Sequence, residues 1–150
     1  TVKFSATTGT GTPDLQQALI NRLETGPYYY PPDLVTDQPE RFIIAELIRE
    51  QILLHTRQEI PHSVAVTIEK IVELPKITKV NAAINIERSS QKGILIGKQG
   101  IMLKTIGTEA RQQIQKLIAG KVHLELFVKV EPKWRQSRLR LAEFGYQVEE

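Results

Sequence analysis

Gly97-Lys98-Gln99-Gly100 interrupts an otherwise apolar stretch, with Ile94-Leu95-Ile96 before it and Ile101-Met102-Leu103 after it. Both flanks read as helical, so these residues must turn the chain sharply between two helices. Glycine at each end permits such a turn and lets the main chain approach whatever lies against it. The residues after Gly100 read as the first turn of a long helix, whose unpaired amides and positive dipole end face the loop. That arrangement suits a phosphate. With Lys98 inside the turn and no acidic residue between Arg88 and Thr108, a phosphodiester backbone is the leading ligand. A nucleoside-triphosphate P-loop does not fit, because that motif needs Gly-x-x-x-x-Gly-Lys-Ser/Thr. Gly93 and Gly97 stand too close together, and Gln99 replaces the hydroxyl that would ligate magnesium. A Gly-x-x-Gly turn can also simply join two helices, so charge and the neighbouring strands must carry the functional reading.

The charge is unevenly spread. Residues 1–87 hold 8 Lys/Arg against 11 Asp/Glu, whereas residues 88–140 hold 12 against 3, a local net charge of +9 within a chain of +3. Residues 141–150 return to net −3. The positive charge thus gathers around the glycine loop, which favours a polyanionic partner, the alternative being a basic surface that is merely solvated. The 150 residues, 41% of them hydrophobic, fit one ordinary domain, or a small domain with part of another. No apolar run approaches the ~18 residues of a membrane span, and residues 1–5 contain no apolar signal segment. The absence of cysteine excludes disulfides and thiolate chemistry. His55, His62 and His123 lack metal-ligand spacing and read as structural or surface residues. No metal site and no catalytic residue are expected.

Along the chain, Val2-Lys3-Phe4 reads as a short strand fragment, followed by a glycine- and hydroxyl-rich turn. Leu15, Ala18, Leu19 and Leu23 then predict an amphipathic helix over 13–24. Gly26, Pro27, three tyrosines, Pro31 and Pro32 make residues 25–37 a stiff linker. Its tyrosines either stack on bases or pack the linker against its neighbours. Asp37 and Glu40 resemble a capping box with Pro39 in the first turn, opening a helix over 38–56. Ile44, Ile48 and Ile52 form its core face, with Leu47 and Leu54 alongside. Val64, Val66 and Ile68 alternate as a strand, and a turn at Leu74-Pro75-Lys76 leads to a second at Val80, Ala82, Ile84 and Ile86. A short helix over 90–96 precedes the loop. The longer helix after it carries the stripe Met102, Ile106, Ala110, Ile114, Leu117 and Ile118, closed by Gly120. Val122 to Val130 alternate as a third strand, and residues 133–145 read as a final basic helix.

The order helix, strand, strand, helix, Gly-x-x-Gly, helix, strand, with Ile96-Gly97-Lys98-Gln99-Gly100 in the loop, resembles a type II KH domain, as found in bacterial proteins. Pro31-Pro32-Asp33, Pro39-Glu40-Arg41-Phe42, Pro61-His62-Ser63-Val64-Ala65-Val66, Gln91-Lys92-Gly93-Ile94 and Gly107-Thr108-Glu109-Ala110-Arg111 are similar to the carboxy-terminal part of the Era family of bacterial GTPases. The resemblance runs from about Ser5 to Tyr146 and implies an α+β fold. Residues 1–24 would be the tail of an α/β GTPase domain, 25–37 a linker, 38–132 the KH domain, a three-stranded mixed sheet packed by helices, and 133–150 a basic helix and tail. Ser5-Ala6-Thr7 resemble the last guanine-base motif of such a GTPase. No P-loop, Asp-x-x-Gly or Asn-Lys-x-Asp occurs in these residues, so GTP hydrolysis is not assigned to them. GTP and magnesium are implied only for the absent domain.

What the resemblance implies for function is binding of single-stranded RNA, specifically the 3′ end of 16S ribosomal RNA, and assistance in small-subunit assembly. A cytoplasmic location follows, with peripheral contact at the inner face of the membrane as an extension. Gly97, Lys98, Gln99 and Gly100 would clamp phosphates, Lys92 and Lys104 steer the strand, and Ile94, Ile96 and the adjacent strand form an apolar groove for bases. Lys133, Trp134 and Arg135 are secondary candidates from the carboxy-terminal helix; Trp134 either stacks on a base or packs its helix onto the sheet. The competing reading is a basic protein- or membrane-interaction module without sequence-specific RNA binding.

Overall fold

The computed structural model describes residues 1–27, 29, 31, 39–56, 60–118 and 120–146, which fall into two compact units, Thr1–Asp37 and Gln38–Glu150. In the first, α1 spans Thr12–Ile20 and starts after Gly11 at φ 72. A Cβ on Gly11 would run into the Lys3 carbonyl, so glycine is required there. The helix stops short of the expected residue 24 because the Arg22 and Leu23 amides bond three residues back, to Leu19 and Ile20. Nor is Val2–Phe4 a strand, since no described strand lies alongside to pair with it. Phe4, Leu19, Ile20 and Leu23 remain exposed.

The second unit is built on a three-stranded sheet in the order β1-β2-β3. Strands β1 (Ala65–Leu74) and β2 (Ile77–Ile86) form a hairpin closed by Pro75-Lys76, and β3 (Val122–Val130) joins β2 in parallel. Register aligns Val80 with Leu124, Ala82 with Leu126 and Ile84 with Val128, so the apolar residues of neighbouring strands share one face. Helices α2 (Glu40–His55) and α5 (Ile101–Ile118) pack on that face and on one another, and a single helical turn, α3 (Ile60–Ser63), precedes β1. Ile44, Ile48 and Ile52 of α2 and Ile106, Ala110 and Ile114 of α5 are fully or almost fully buried between them. Each such isoleucine contributes about 1.5–3 kcal/mol. Leu54 and Leu117, at the margins of these stripes, face solvent instead.

The ends of α2 and the carboxy-terminal segment differ from expectation. Asp37 lies outside the described residues, and the residue preceding α2 is Pro39, whose carbonyl accepts the Phe42 and Ile43 amides without any side-chain cap. The single basic helix expected over 133–145 is two pieces: a tight turn at Trp134–Gln136 and α6 at Arg138–Glu143. Lys133 is left-handed at φ 56, and Ser137 is extended, its hydroxyl accepting the Arg140 amide. The break swings Trp134 inward, where only 4% of it remains exposed.

Candidate nucleic-acid interface

Helix α4 (Ser89–Ile96) delivers the chain to the glycine loop. Leu95 is fully buried and fixes the phase of this short helix, which leaves Ile94 52% exposed and Ile96 half-buried. At its end the Gly97 amide donates to the Gly93 carbonyl at 2.9 Å. Gly97 then takes φ 70, ψ −179, a region that side-chain-bearing residues hardly occupy. A Cβ there would lie 2.6 Å from Met102 Cβ, so the loop is pressed against the first turn of α5. Gln99 and Gly100 are also left-handed, at φ 53 and 77. The Gly100 amide donates to the Gly97 carbonyl and that of Ile101 to Lys98. The amides of Gly100 and Ile101 are therefore already engaged; those of Lys98 and Gln99 take part in none of these bonds. Lys98 and Gln99 stand exposed at the tip.

Beside the loop runs a groove of about 370 Å³ between α5 and β3. Gly100, Leu103, Lys104, Gly107, Thr108 and Arg111 give one wall, a single stripe at helical spacing; Leu124 and Leu126 give the other. Gly107 explains how the walls come together, because a Cβ on it would sit 3.3 Å from Leu126 Cδ1. A mid-helix glycine costs about 1 kcal/mol relative to alanine, and here the close approach of helix and strand accounts for it. From Gly100 to Arg111 the helix rises roughly 16 Å. Lys98, Lys104 and Arg111 make no ion pair among the described residues. Ile94 and Ile96 flank the loop without lining this groove, so its apolar floor is Leu103, Leu124 and Leu126 and not the isoleucines of α4. Arg111 and Gly107 are the residues that reading for charge and glycine turns did not single out; the glycine interrupting the α5 stripe was the available signal.

Residues 59–135 match the KH domain family. The chain belongs to that family. It is also similar to the GTPase Era of Crocosphaera subtropica, 76% identical over 149 residues, which are 99% of this chain and 48% of that protein. The GTPase Era of Leuconostoc citreum is 51% identical over 147 residues, 97% of this chain and 48% of that one. This chain thus spans about half the length of the curated relatives it matches. Among solved structures, Aquifex aeolicus Era bound to GDP and AlF4⁻ superposes with a TM-score of 0.90 at 36% identity, covering 97% of this chain and 49% of that one. Era in complex with MgGDPNP and nucleotides 1506–1542 of 16S ribosomal RNA matches with the same score, identity and coverage.

Around the KH loop and groove the remaining candidates divide. Lys92 is exposed on α4, and Lys104 lies on the groove itself. Lys133 is exposed, in a second hollow with Arg88 and Gln136. Trp134 is a core residue, which corrects the base-stacking alternative: its indole N–H donates to the Ser63 carbonyl at 3.2 Å, while Tyr146 stacks on it and Phe144 meets it edge-on. Arg135 donates to Glu87 Oε2 at 2.6 Å and to the His62 carbonyl at 3.0 Å. The guanidinium's hydrogen bond holds the Glu87 carboxyl below the usual carboxylate range. In the other unit Ser5 bonds through its amide and carbonyl to Thr10 and Gly9, closing a turn that presents Ala6 and Thr7 outward. No cluster suited to a metal ion occurs among the described residues. Of the linker tyrosines only Tyr29 is described, and it is exposed.

Proposed function

We propose that this chain binds single-stranded RNA, with Gly97–Gly100 gripping the phosphates and the α5–β3 groove receiving the bases. The observation that carries the reading is a continuous path: a left-handed glycine loop with Lys98 exposed at its tip leads through Gly100 to an apolar groove lined by Lys104 and Arg111. KH modules clamp about four nucleotides in such a loop. Phosphate contacts give register and affinity, and the groove gives base preference. Lys92 and Lys133 add steering charge. The solved Era complex containing 16S ribosomal RNA nucleotides supports the 3′ end of that RNA as the target here. The protein would then act in small-subunit assembly in the cytoplasm. In the longer relatives a GTPase domain would use GTP and magnesium, and residues 1–24 would be its last helix and guanine-facing turn. Exposed Phe4, Leu19, Ile20 and Leu23 fit an apolar face that such a domain covers. Contact of α6 with a membrane or protein is less favoured, because Arg140 already pairs with Glu131 and Glu143. No helix among the described residues is long and apolar enough to cross a membrane.

The test is an anisotropy titration of labelled single-stranded RNA ending in the small-subunit 3′ sequence, against a scrambled RNA, over a salt series. Non-specific binding alone lies near 10⁻⁴ to 10⁻⁶ M at physiological salt; the ribosomal sequence should bind tighter. The double change Lys98→Asp, Gln99→Asp should remove that preference in a folded protein. Equal binding of both RNAs by both proteins would leave only a general anion patch.

A further inference from the structure

The amino-terminal end of α4 is held by hydrogen bonds that lead into the carboxy-terminal segment. Buried Gln91 accepts the Glu87 and Arg88 amides on its Oε1 at 3.1 and 3.0 Å, and its Nε2 donates to Ser63 Oγ at 2.7 Å. The Ser63 carbonyl accepts the Trp134 indole N–H. Arg135 spans the same junction, with one nitrogen on the His62 carbonyl and another on the Glu87 carboxylate, a side chain only 13% exposed. At the other end of α4 the anchor is Leu95, fully buried. Lys92 and Ile94 lie between these two attachments, and Gly97 follows directly. How α4 tilts about Leu95, and so how the loop meets the groove, depends on what Glu87 and Gln91 are tied to.

We propose that the Glu87–Arg135 bridge is a positioning device for the RNA clamp: Arg135 orients α4 through Glu87 and the His62 carbonyl and does not itself contact RNA. This rests on the reading of Gly97–Gly100 as that clamp. The opposing role for Arg135 is a phosphate contact, and the two roles predict opposite signs at Glu87. If Arg135 held a phosphate, Glu87 would compete for it, and neutralising Glu87 would free the guanidinium and reduce repulsion. If Arg135 works by bridging, neutralising Glu87 leaves only a neutral amide oxygen in place of the charge-assisted acceptor, which loosens one end of the bridge and weakens binding, although a negative charge has gone.

The experiment uses the full chain and the labelled ribosomal 3′-end RNA, comparing Glu87→Gln, Arg135→Gln, Arg135→Lys and the Glu87→Gln, Arg135→Gln double variant across a salt series. Each single variant should lose about threefold to tenfold in affinity, the range for residues that act through others. The double variant should lose no more than either single one. Arg135→Lys should not rescue, since it keeps the charge but not the two-nitrogen fork. The dependence of log K on log salt should match wild type. Tighter binding by Glu87→Gln, rescue by Arg135→Lys, unchanged affinity throughout, or a salt slope lowered by about 1 in Arg135→Gln would each overturn the proposal. The Lys98→Asp, Gln99→Asp variant separates the two readings. If it binds like wild type, the loop is not the clamp and both fall; if it loses binding while Glu87→Gln binds tighter, only the positioning role falls.

Discussion

Gly97 and Gly100 share a motif and a positive φ, yet their surroundings predict different sensitivities to the same substitution. At Gly97 an alanine Cβ would stand 2.6 Å from Met102 Cβ and 3.1 Å from the Met102 amide nitrogen. Met102 is flexible, but these atoms belong to its backbone and the root of its side chain, which cannot rotate aside. The backbone region adds about 1–3 kcal/mol and the overpacking about 1–3 kcal/mol. Reduced freedom of the unfolded chain offsets about 0.4–1 kcal/mol. Gly97→Ala should therefore destabilise the KH unit by about 1–5.5 kcal/mol, with a mid-range of about 3 kcal/mol. At Gly100 nothing lies within 4 Å of the same position, so only the left-handed backbone opposes alanine, a net of about 1 kcal/mol. The protein's single tryptophan, Trp134, is buried in this unit, so urea unfolding followed by its fluorescence reports on the unit that holds both glycines. Equal losses for the two variants, or a greater loss at Gly100, would show that Gly97 is not pressed against α5 and would refute the reasoning.

Arg111→Ala should weaken binding of the ribosomal RNA by about 1–3 kcal/mol and narrow its advantage over a scrambled sequence, if Arg111 reads a base edge at the far end of the groove. Anisotropy with both RNAs checks this, and an equal loss on both with a shallower salt slope would make Arg111 a phosphate contact instead. Trp134→Phe removes the donor to the Ser63 carbonyl and leaves that buried acceptor without its indole partner. Urea unfolding followed by circular dichroism should show a loss of about 1–3 kcal/mol; no change would place the indole at the surface.

The KH order of elements was legible because its strands and its longest helix carry clean periods. Val80, Ala82, Ile84 and Ile86 alternate, Ile106, Ala110 and Ile114 repeat at helical spacing, and each set is buried. Such patterns are local and survive folding. What the sequence concealed depends on partners distant in the chain. Ile94, Leu95 and Ile96 are consecutive and apolar, and in a short helix no period says which one the core takes; it takes Leu95. The groove needed Gly107 to meet Leu126, a contact visible from neither neighbourhood alone. Trp134 lies in a basic stretch that reads as a continuous helix, and nothing near it announces that the Ser63 carbonyl will accept its N–H. Arg135 reads as one more cation in that stretch, and nothing near it in the chain announces that Glu87, 48 residues earlier, accepts from it.

These placements separate two kinds of control over one interface. Helix α5 carries both the surface against which Gly97 is pressed and the wall of the groove, so the proposed clamp and the proposed base platform share one rigid element, fixed by Ile106, Ala110 and Ile114 in the core. Changes there act on stability first, because clamp and groove shift only if the core gives way. Helix α4 is shorter, with Leu95 as its fully buried side chain, and its other end is tied to Ser63, Glu87 and the carboxy-terminal turn. Changes in that tie can tilt the approach to the loop while the core stays intact, and on the proposed reading they act on RNA affinity first. On the proposed reading, a clamp at Gly97 and Lys98 is therefore weakened by changing Arg135, which is tied to α4 through Glu87.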